Sequence, residues 1–197
     1  HLVSIYVKQG NQFINIASTI KDQNGSSIEG TKIGFNHQAY SLLLAGNSYQ
    51  GQSRMSGLNL YQNLTPITVN GRLIAVLETS TDLTNIMATL SDYVNQLTFG
   101  KSGYVYVMAA GEFEGDMMIH RTLTGGNVYD IQPGFKDTFK QAFIGDMGGF
   151  SYSVPTKGID STARESKVLY HRIKGWNWVA LLKTYADEYQ AEIDAQI

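Results

Sequence analysis

Tyr106, Met118, His120, Arg121, Tyr152, Lys167, Tyr170 and His171 lie in the second half of the chain, all but Arg121 on segments that read as strands, and Arg121 directly after one. Side chains of these types on one sheet would form an aromatic wall carrying a few cationic and hydroxyl donors. Tyr104 and Met108 extend the face of Tyr106 at the two-residue spacing of a strand. Such a surface suits a small carboxylate or amino acid. A buried carboxylate needs charged or multiple donors to replace its lost hydration, and the rings exclude competing water. Replacing His120 by Ala is then expected to weaken binding with little effect on the fold. The first half offers an alternative ligand-binding set, His37, Tyr40, Arg54 and Tyr61, with Tyr49 nearby.

Other chemistries find less support. The chain has no Cys, no G-x-S-x-G elbow and no H-E-x-x-H helix, so its residues suggest no enzyme. Glu112, Glu114 and Asp116 are the best paired-acid candidates, but they fall in a hairpin turn where solvated charge is the expected state. The four His have no metal-ligand spacing, and Asp22, Asn24 and Glu29 do not fit a calcium loop. "FGKS" fails as a phosphate loop because Asn95 stands where that motif needs its first Gly. No metal and no cofactor are expected. A net charge of -2 and a pI near 6.1 argue against a nucleic-acid partner or a polybasic membrane patch. No apolar run approaches the roughly 20 residues of a membrane span.

The elements that must position these groups are announced by a repeated phrase. "RLIAVLETSTDLT" from Arg72 and "NWVALLKTYADEY" from Asn177 align without a gap over Ile74–Asp82 and Val179–Asp187. Each reads as an apolar strand, a charge and then an Asp suited to cap a helix. Each also follows a turn signal. Two antiparallel sheets are predicted, with Ala75 and Ala180 at equivalent positions. The first sheet takes strands from Leu2–Lys8, Gln12–Ile20, the region around Gly57 and the first copy of the phrase. A short helix from Asn36 should point Ala39, Leu42 and Leu43 inward. A longer helix over Asp82–Phe99 has apolar residues at spacings of three and four. The second sheet takes Tyr104–Ala109, Met117–His120, Phe150–Val154, Lys167–Ile173 and Trp178–Thr184, with a helix over Lys136–Ile144. Trp178 is expected to be buried and Trp176 partly exposed.

"HQAYSLLLAGNSYQG", "LTPITVNGRLIAVLETSTDL", "FGKSGYVYVMAAGEFEGDMMIHRTLTGGNVYD", "GGFSYSVP" and "VLYHRIKGWNWVALLKTYADEY" together resemble the two-module Cache sensor domains of bacterial methyl-accepting chemotaxis receptors. The phrases occur in the family's order and cover most of the chain. The resemblance implies an α+β fold of two Cache (PAS-like) modules, each an antiparallel sheet with flanking helices, joined by a helix. Residues 1–81 would be the first, membrane-distal module, 82–99 the connecting helix, 100–185 the second, membrane-proximal module and 186–197 an exit helix. The long N-terminal signalling helix usual in the family is absent from this sequence, and Arg121 stands where relatives carry Pro. The resemblance also implies a non-enzymatic periplasmic or extracellular sensor, in a homodimeric receptor held in the cell membrane by segments outside this chain. Alternatives are the sensor of a histidine kinase or cyclic-nucleotide enzyme, or a carbohydrate-adhesion module using exposed Tyr and Trp.

Overall fold

A computed structural model describes residues 2–22, 24–55 and 57–189. They form two compact units, one ending at Ile86 and the other beginning at Met87. No helix among the described residues is long and apolar enough to cross a membrane.

The first unit is a sheet built from β1 (Leu2–Gln9), β2 (Gln12–Ser18), β3 (Lys32–Ile33), β4 (Tyr49–Met55), β5 (Leu58–Val69) and β6 (Arg72–Asp82). Its spatial order is β3-β2-β1-β6-β5-β4, with every pairing antiparallel. Asn70 and Gly71 both take positive φ, 50° and 74°, as a tight two-residue hairpin between β5 and β6 requires. Strand alternation turns Tyr6, Phe13, Leu64 and Val76 inward, where Ala39 and Leu43 from α1 (Tyr40–Leu44) cover them. Leu42 points outward and is 42% exposed, contrary to the inward position expected for it, because only one side of this short helix meets the sheet.

Ile20, Ile28 and Leu60 form a second apolar cluster, and between the two clusters the inward-facing residues of β5 and β6, Gln62, Glu78 and Ser80, are polar. At their centre Glu78 is wholly buried. Its carboxylate accepts hydrogen bonds from the Tyr6 hydroxyl (2.8 Å), the Gln62 amide (2.7 Å) and the Ser80 hydroxyl (2.5 Å). Burial, then the neighbouring Glu78 charge, push the Tyr6 pKa well up, so Tyr6 remains a donor.

Asp82 ends β6, and its carboxylate accepts the Thr84 N–H at 2.9 Å at the start of α2 (Thr84–Gln96). The helix is shorter than expected because Thr98 and Phe99 form a strand, β7 (Thr98–Phe99). The second unit continues with β8 (Gly103–Ala109), β9 (Met117–Ile119), α3 (Val128–Ile131), α4 (Lys136–Lys140), β10 (Met147–Ser153), β11 (Glu165–Ile173) and β12 (Trp178–Tyr185). The sheet order is β10-β11-β12-β8-β7, with β9 also paired to β8. Both copies of the repeated phrase are therefore interior strands, β6 and β12, of separate antiparallel sheets.

One face of the second sheet packs Tyr104, Tyr106, Met108, Val179 and Leu181 against Val128 and Phe139 from α3 and α4. The other packs Val107, Ala109, Ile119 and Trp178 against Met87, Leu90 and Val94 of α2. Trp178 is 3% exposed, while Trp176 is half-buried with its ring 4.9 Å away.

Residues 186–189 turn into a helix, and the remainder of the expected exit helix lies outside the described residues. The Glu188 side chain is only 5% exposed. Its carboxylate accepts the Lys101 and Ser102 backbone N–H groups, the Ser102 hydroxyl and the Arg164 guanidinium. Arg164 also bonds Asp187 at 2.6 and 2.9 Å and lies 3.7 Å over the Tyr185 ring. Asp187, expected to cap this helix, pairs with Arg164. Burial works against the Glu188 carboxylate, but these donors outweigh it and bring its pKa down to about 2.

Two predictions follow from this packing. Replacing Trp178 by Ala should destabilise the protein by about 3–5 kcal/mol in urea unfolding, and unchanged stability would mean the strand is misplaced. Glu188 binds its proton less readily folded than unfolded, so its contribution is present above pH 4.5 and is lost as pH falls toward about 2. In urea unfolding across that window, Glu188→Gln should remove this part of the acid destabilisation. An unaltered pH profile would contradict the assignment.

Candidate functional site

Strand parity decides what faces the interior of the second unit. On β8 it turns Tyr104 and Tyr106 inward, and on β12 it turns Val179, Leu181, Lys183 and Tyr185 inward. Tyr104, Tyr106, His120, Gln132, Tyr152 and Thr156, with apolar groups from α3 and α4, line a cavity of about 20 Å³. That is room for a single water molecule.

His120 follows β9 and is 4% exposed. Its Nδ1 accepts the Thr122 and Leu123 backbone N–H groups at 3.1 and 3.2 Å, which leaves the ring proton on Nε2, 3.3 Å from the Tyr104 hydroxyl. Burial, then the charges of Lys183 and Arg121, pull its pKa down to about 4. The imidazole is therefore neutral at pH 7 and presents an N–H. Tyr106 is 2% exposed, and its hydroxyl has no hydrogen-bond partner among the described residues. Burial pushes its pKa well up, and burial also pushes Tyr104 up to about 12, so both phenols keep their protons.

Behind the wall of this cavity, on the lining residue Thr156, sits Lys183, which is completely buried. Its Nζ donates to Thr156 Oγ1 at 2.7 Å and to Asp160 Oδ2 at 3.3 Å. It also lies 4.7, 5.2 and 5.7 Å from the ring centroids of Tyr185, Tyr152 and Tyr104, within cation–π range. Burial lowers the Lys183 pKa, and Asp160 offsets part of that effect. Burial likewise disfavours the Asp160 carboxylate, but the Thr156 N–H, bonded at 2.8 Å, and Lys183 are among the groups that outweigh it and hold it below the ordinary range.

Of the residues picked out by type, Tyr106, His120 and Tyr152 come together here with Tyr104. The remainder are dispersed. Lys167 and His171 are exposed on the opposite face of β11, where Lys167 pairs with Glu165 at 2.5 Å, so the expected convergence of basic groups on the aromatic wall does not include them. Met118 packs in the core that faces α2. Tyr170 lies over its cross-strand partner Gly148, where a Cβ would come within 2.5 Å of the hydroxyl. Arg121 bonds Leu97 O at 2.8 Å and Thr98 Oγ1 at 3.1 Å, and its guanidinium stands 5.2 Å over the Tyr104 ring. It braces the cavity wall from outside.

In the first unit, His37 packs on Tyr49 with ring centroids 5.9 Å apart, and the Tyr40 hydroxyl bonds Asn11 O at 2.7 Å. Arg54 is exposed and Tyr61 occupies the face opposite Leu60, Gln62 and Leu64, so the alternative set does not close on one site. The turn acids are more than solvated charge: Glu114 accepts the Tyr129 hydroxyl at 2.6 Å and Asp116 accepts the Asn127 amide at 2.8 Å. Among the described residues no group of three or more acids and His could hold a metal. Lys183 was missed by residue type alone. Its signal was parity, since it shares the inward set of Val179 and Leu181.

No curated protein sequence matches the chain. Among solved structures, the ligand-binding domain of Mlp24 with asparagine aligns at TM-score 0.61 and 10% identity, over 98% of this chain and 71% of that one. The extracellular domain of the putative histidine kinase mmHK1S-Z3 aligns at TM-score 0.60 and 11% identity, over 98% and 76%. The sensor domain of the V. cholerae histidine kinase DctB aligns at 0.56 and 15%, over 93% and 71%. At these identities the likeness concerns the fold, which is that of paired antiparallel-sheet modules. The sequence itself matches a family model over residues 2–196, and the chain belongs to the Cache 3/Cache 2 fusion domain family.

Proposed function

We propose that the second module binds a small carboxylate, a C2–C4 acid or an amino acid, for a transmembrane chemotaxis receptor. Cache domains are extracellular sensor modules of membrane receptors. The observation that carries the ligand class is Lys183, an ammonium with no exposed surface held on Thr156, a residue of the cavity wall that also includes His120, with its N–H toward the Tyr104 hydroxyl, and Tyr106, whose hydroxyl has no partner among the described residues. A carboxylate is the ligand these three donors complement, and the walls of Tyr104 and Tyr152 would strengthen each bond by excluding water. The chemotaxis assignment draws on structural likeness to receptor domains described with asparagine and, in Pseudomonas aeruginosa PctC, with GABA. Likeness to histidine kinase sensors supports a second output, a kinase in place of the chemotaxis signalling domain. The parent receptor is proposed to be a homodimer, anchored by segments outside this chain.

Calorimetric titration with C2–C4 acids and amino acids tests the reading. The double variant Lys183→Met/Asp160→Asn removes both buried charges together, which avoids stranding either one. It should still unfold cooperatively and should bind at least about tenfold more weakly, the loss of a charge-assisted contact. Wild-type affinity in that variant would place the ligand elsewhere. His120→Ala should weaken binding and also destabilise the fold by about 1–3 kcal/mol, because two backbone N–H groups lose their acceptor. This revises the expectation that His120 could be removed without structural cost. In an NMR titration, the His120 ring should stay neutral until about pH 4. Protonation near the ordinary histidine value would contradict its buried, Lys183-facing position.

A further inference from the structure

The cavity leaves no space for an acid of two or more carbons, and the ammonium that would receive it is already neutralised from within. Asp160 Oδ2 stands 3.3 Å from Lys183 Nζ, with a side chain only 2% exposed. The same oxygen accepts the Thr156 N–H at 2.8 Å, and Thr156 Oγ1 is the other oxygen on Lys183. A backbone N–H, a hydroxyl and an ammonium are thus assembled around one anionic group, the Asp160 carboxylate, and that group belongs to the chain itself. Resting on the reading of the second module as a carboxylate site, we propose that Asp160 is its specificity-determining residue, an internal carboxylate that the ligand must replace on Lys183.

The geometry of the segment supports this exchange. Asp160 lies in the connection between β10 and β11, with exposed residues on either side: Lys157 and Gly158 before it, Ser161 to Ala163 after it. Its inner anchors are the bonds from Ile159 N and Asp160 N to Thr156 O, at 3.0 and 2.9 Å, and the carboxylate contacts just described. Swinging Asp160 out to solvent returns one carboxylate to water as another leaves it, so the charge balance around Lys183 is conserved. It would also free the volume of the Asp160 side chain next to Thr156, which lines the cavity. A neutral ligand cannot make this trade, since it would leave Lys183 buried without a counter-charge. Selection for an anion is then a consequence of what must be displaced. The same connection ends at Arg164, which grips Asp187 and Glu188 beyond β12, so release of Asp160 acts on the segment that holds the chain's exit from the module.

The exchange makes a prediction of unusual sign. Removing the internal competitor should improve binding, because the wild-type affinity is reduced by the fraction of molecules with Asp160 in place. Asp160→Asn should therefore bind acetate or propionate about tenfold more tightly than wild type by calorimetry. If wild type binds these acids and a folded Asp160→Asn binds them equally or less well, exchange is overturned while the carboxylate site stands. If neither protein binds any C2–C4 acid, the site and the exchange fall together. Hydrogen exchange on the wild-type protein decides the matter should Asp160→Asn not fold. Saturating propionate should speed exchange at the Thr156, Ile159 and Asp160 amides, and added protection there would overturn the proposal.

Discussion

An ammonium with no contact with water governs the second module. Burying Lys183 is tolerable only if oxygen acceptors and aromatic faces replace its hydration, and each replacement constrains a different piece of chain. Thr156 and Asp160 must fold back over the sheet, which sets the path between β10 and β11. Tyr104, Tyr152 and Tyr185 must present their rings, which requires three strands in one register. The charge then acts on its neighbours, helping to keep His120 neutral and hence a single-tautomer donor. An apolar side chain of similar size could fill the same volume at lower cost, so the lysine makes sense where an anion has to be received.

The path from that ammonium to the chain's exit is short and covalent for most of its length. β12 carries Lys183 and Tyr185 on its inner face and passes within a few residues to Asp187 and Glu188. The β10–β11 connection carries Asp160 and then Arg164, which holds the same two acids. The two segments therefore touch at both ends, once through a buried ion pair and once through a bidentate guanidinium contact stacked on Tyr185. On the proposed reading, such an arrangement would give a bound anion a lever on the exit without any long chain of intermediaries. A ligand works that lever only through its different affinity for the two positions of the connection.

Strand existence and the two-sheet plan were legible because the alternation in "HLVSIYV" and "GYVYVMA" and the turn pair Asn70-Gly71 are local signals. Side-chain direction was legible only where polar and apolar residues alternate cleanly. In β11 the pair Val168-Leu169 puts an apolar residue on each face, so the sequence does not say that Ser166 and Val168 point inward while Lys167 and His171 point out. Lys183 was obscured for the opposite reason: it is a charge at the end of an apolar run, where a solvated side chain is expected, yet parity carries it inward. The short α3 helix and the strand at Thr98–Phe99 are too brief to show any period. Gathering of Thr156, Asp160 and Arg164 around β12 depends on a loop's return path, which tertiary contacts specify and local pattern does not.

The repeated phrase has one more meaning. In the gapless alignment Glu78 of β6 corresponds to Lys183 of β12, so the two modules place a wholly buried charge at the same strand position, with opposite sign. Around Glu78 stand the donors Tyr6, Gln62 and Ser80, while around Lys183 stand the acceptors Thr156 and Asp160. A nascent chain containing two look-alike strands risks docking either one into either sheet. Here the wrong choice would set a glutamate against Asp160, or seat a lysine among groups already committed to donating, and both errors would be paid in a dry interior. The opposed charges thus act as an address that tells each strand which sheet is its own.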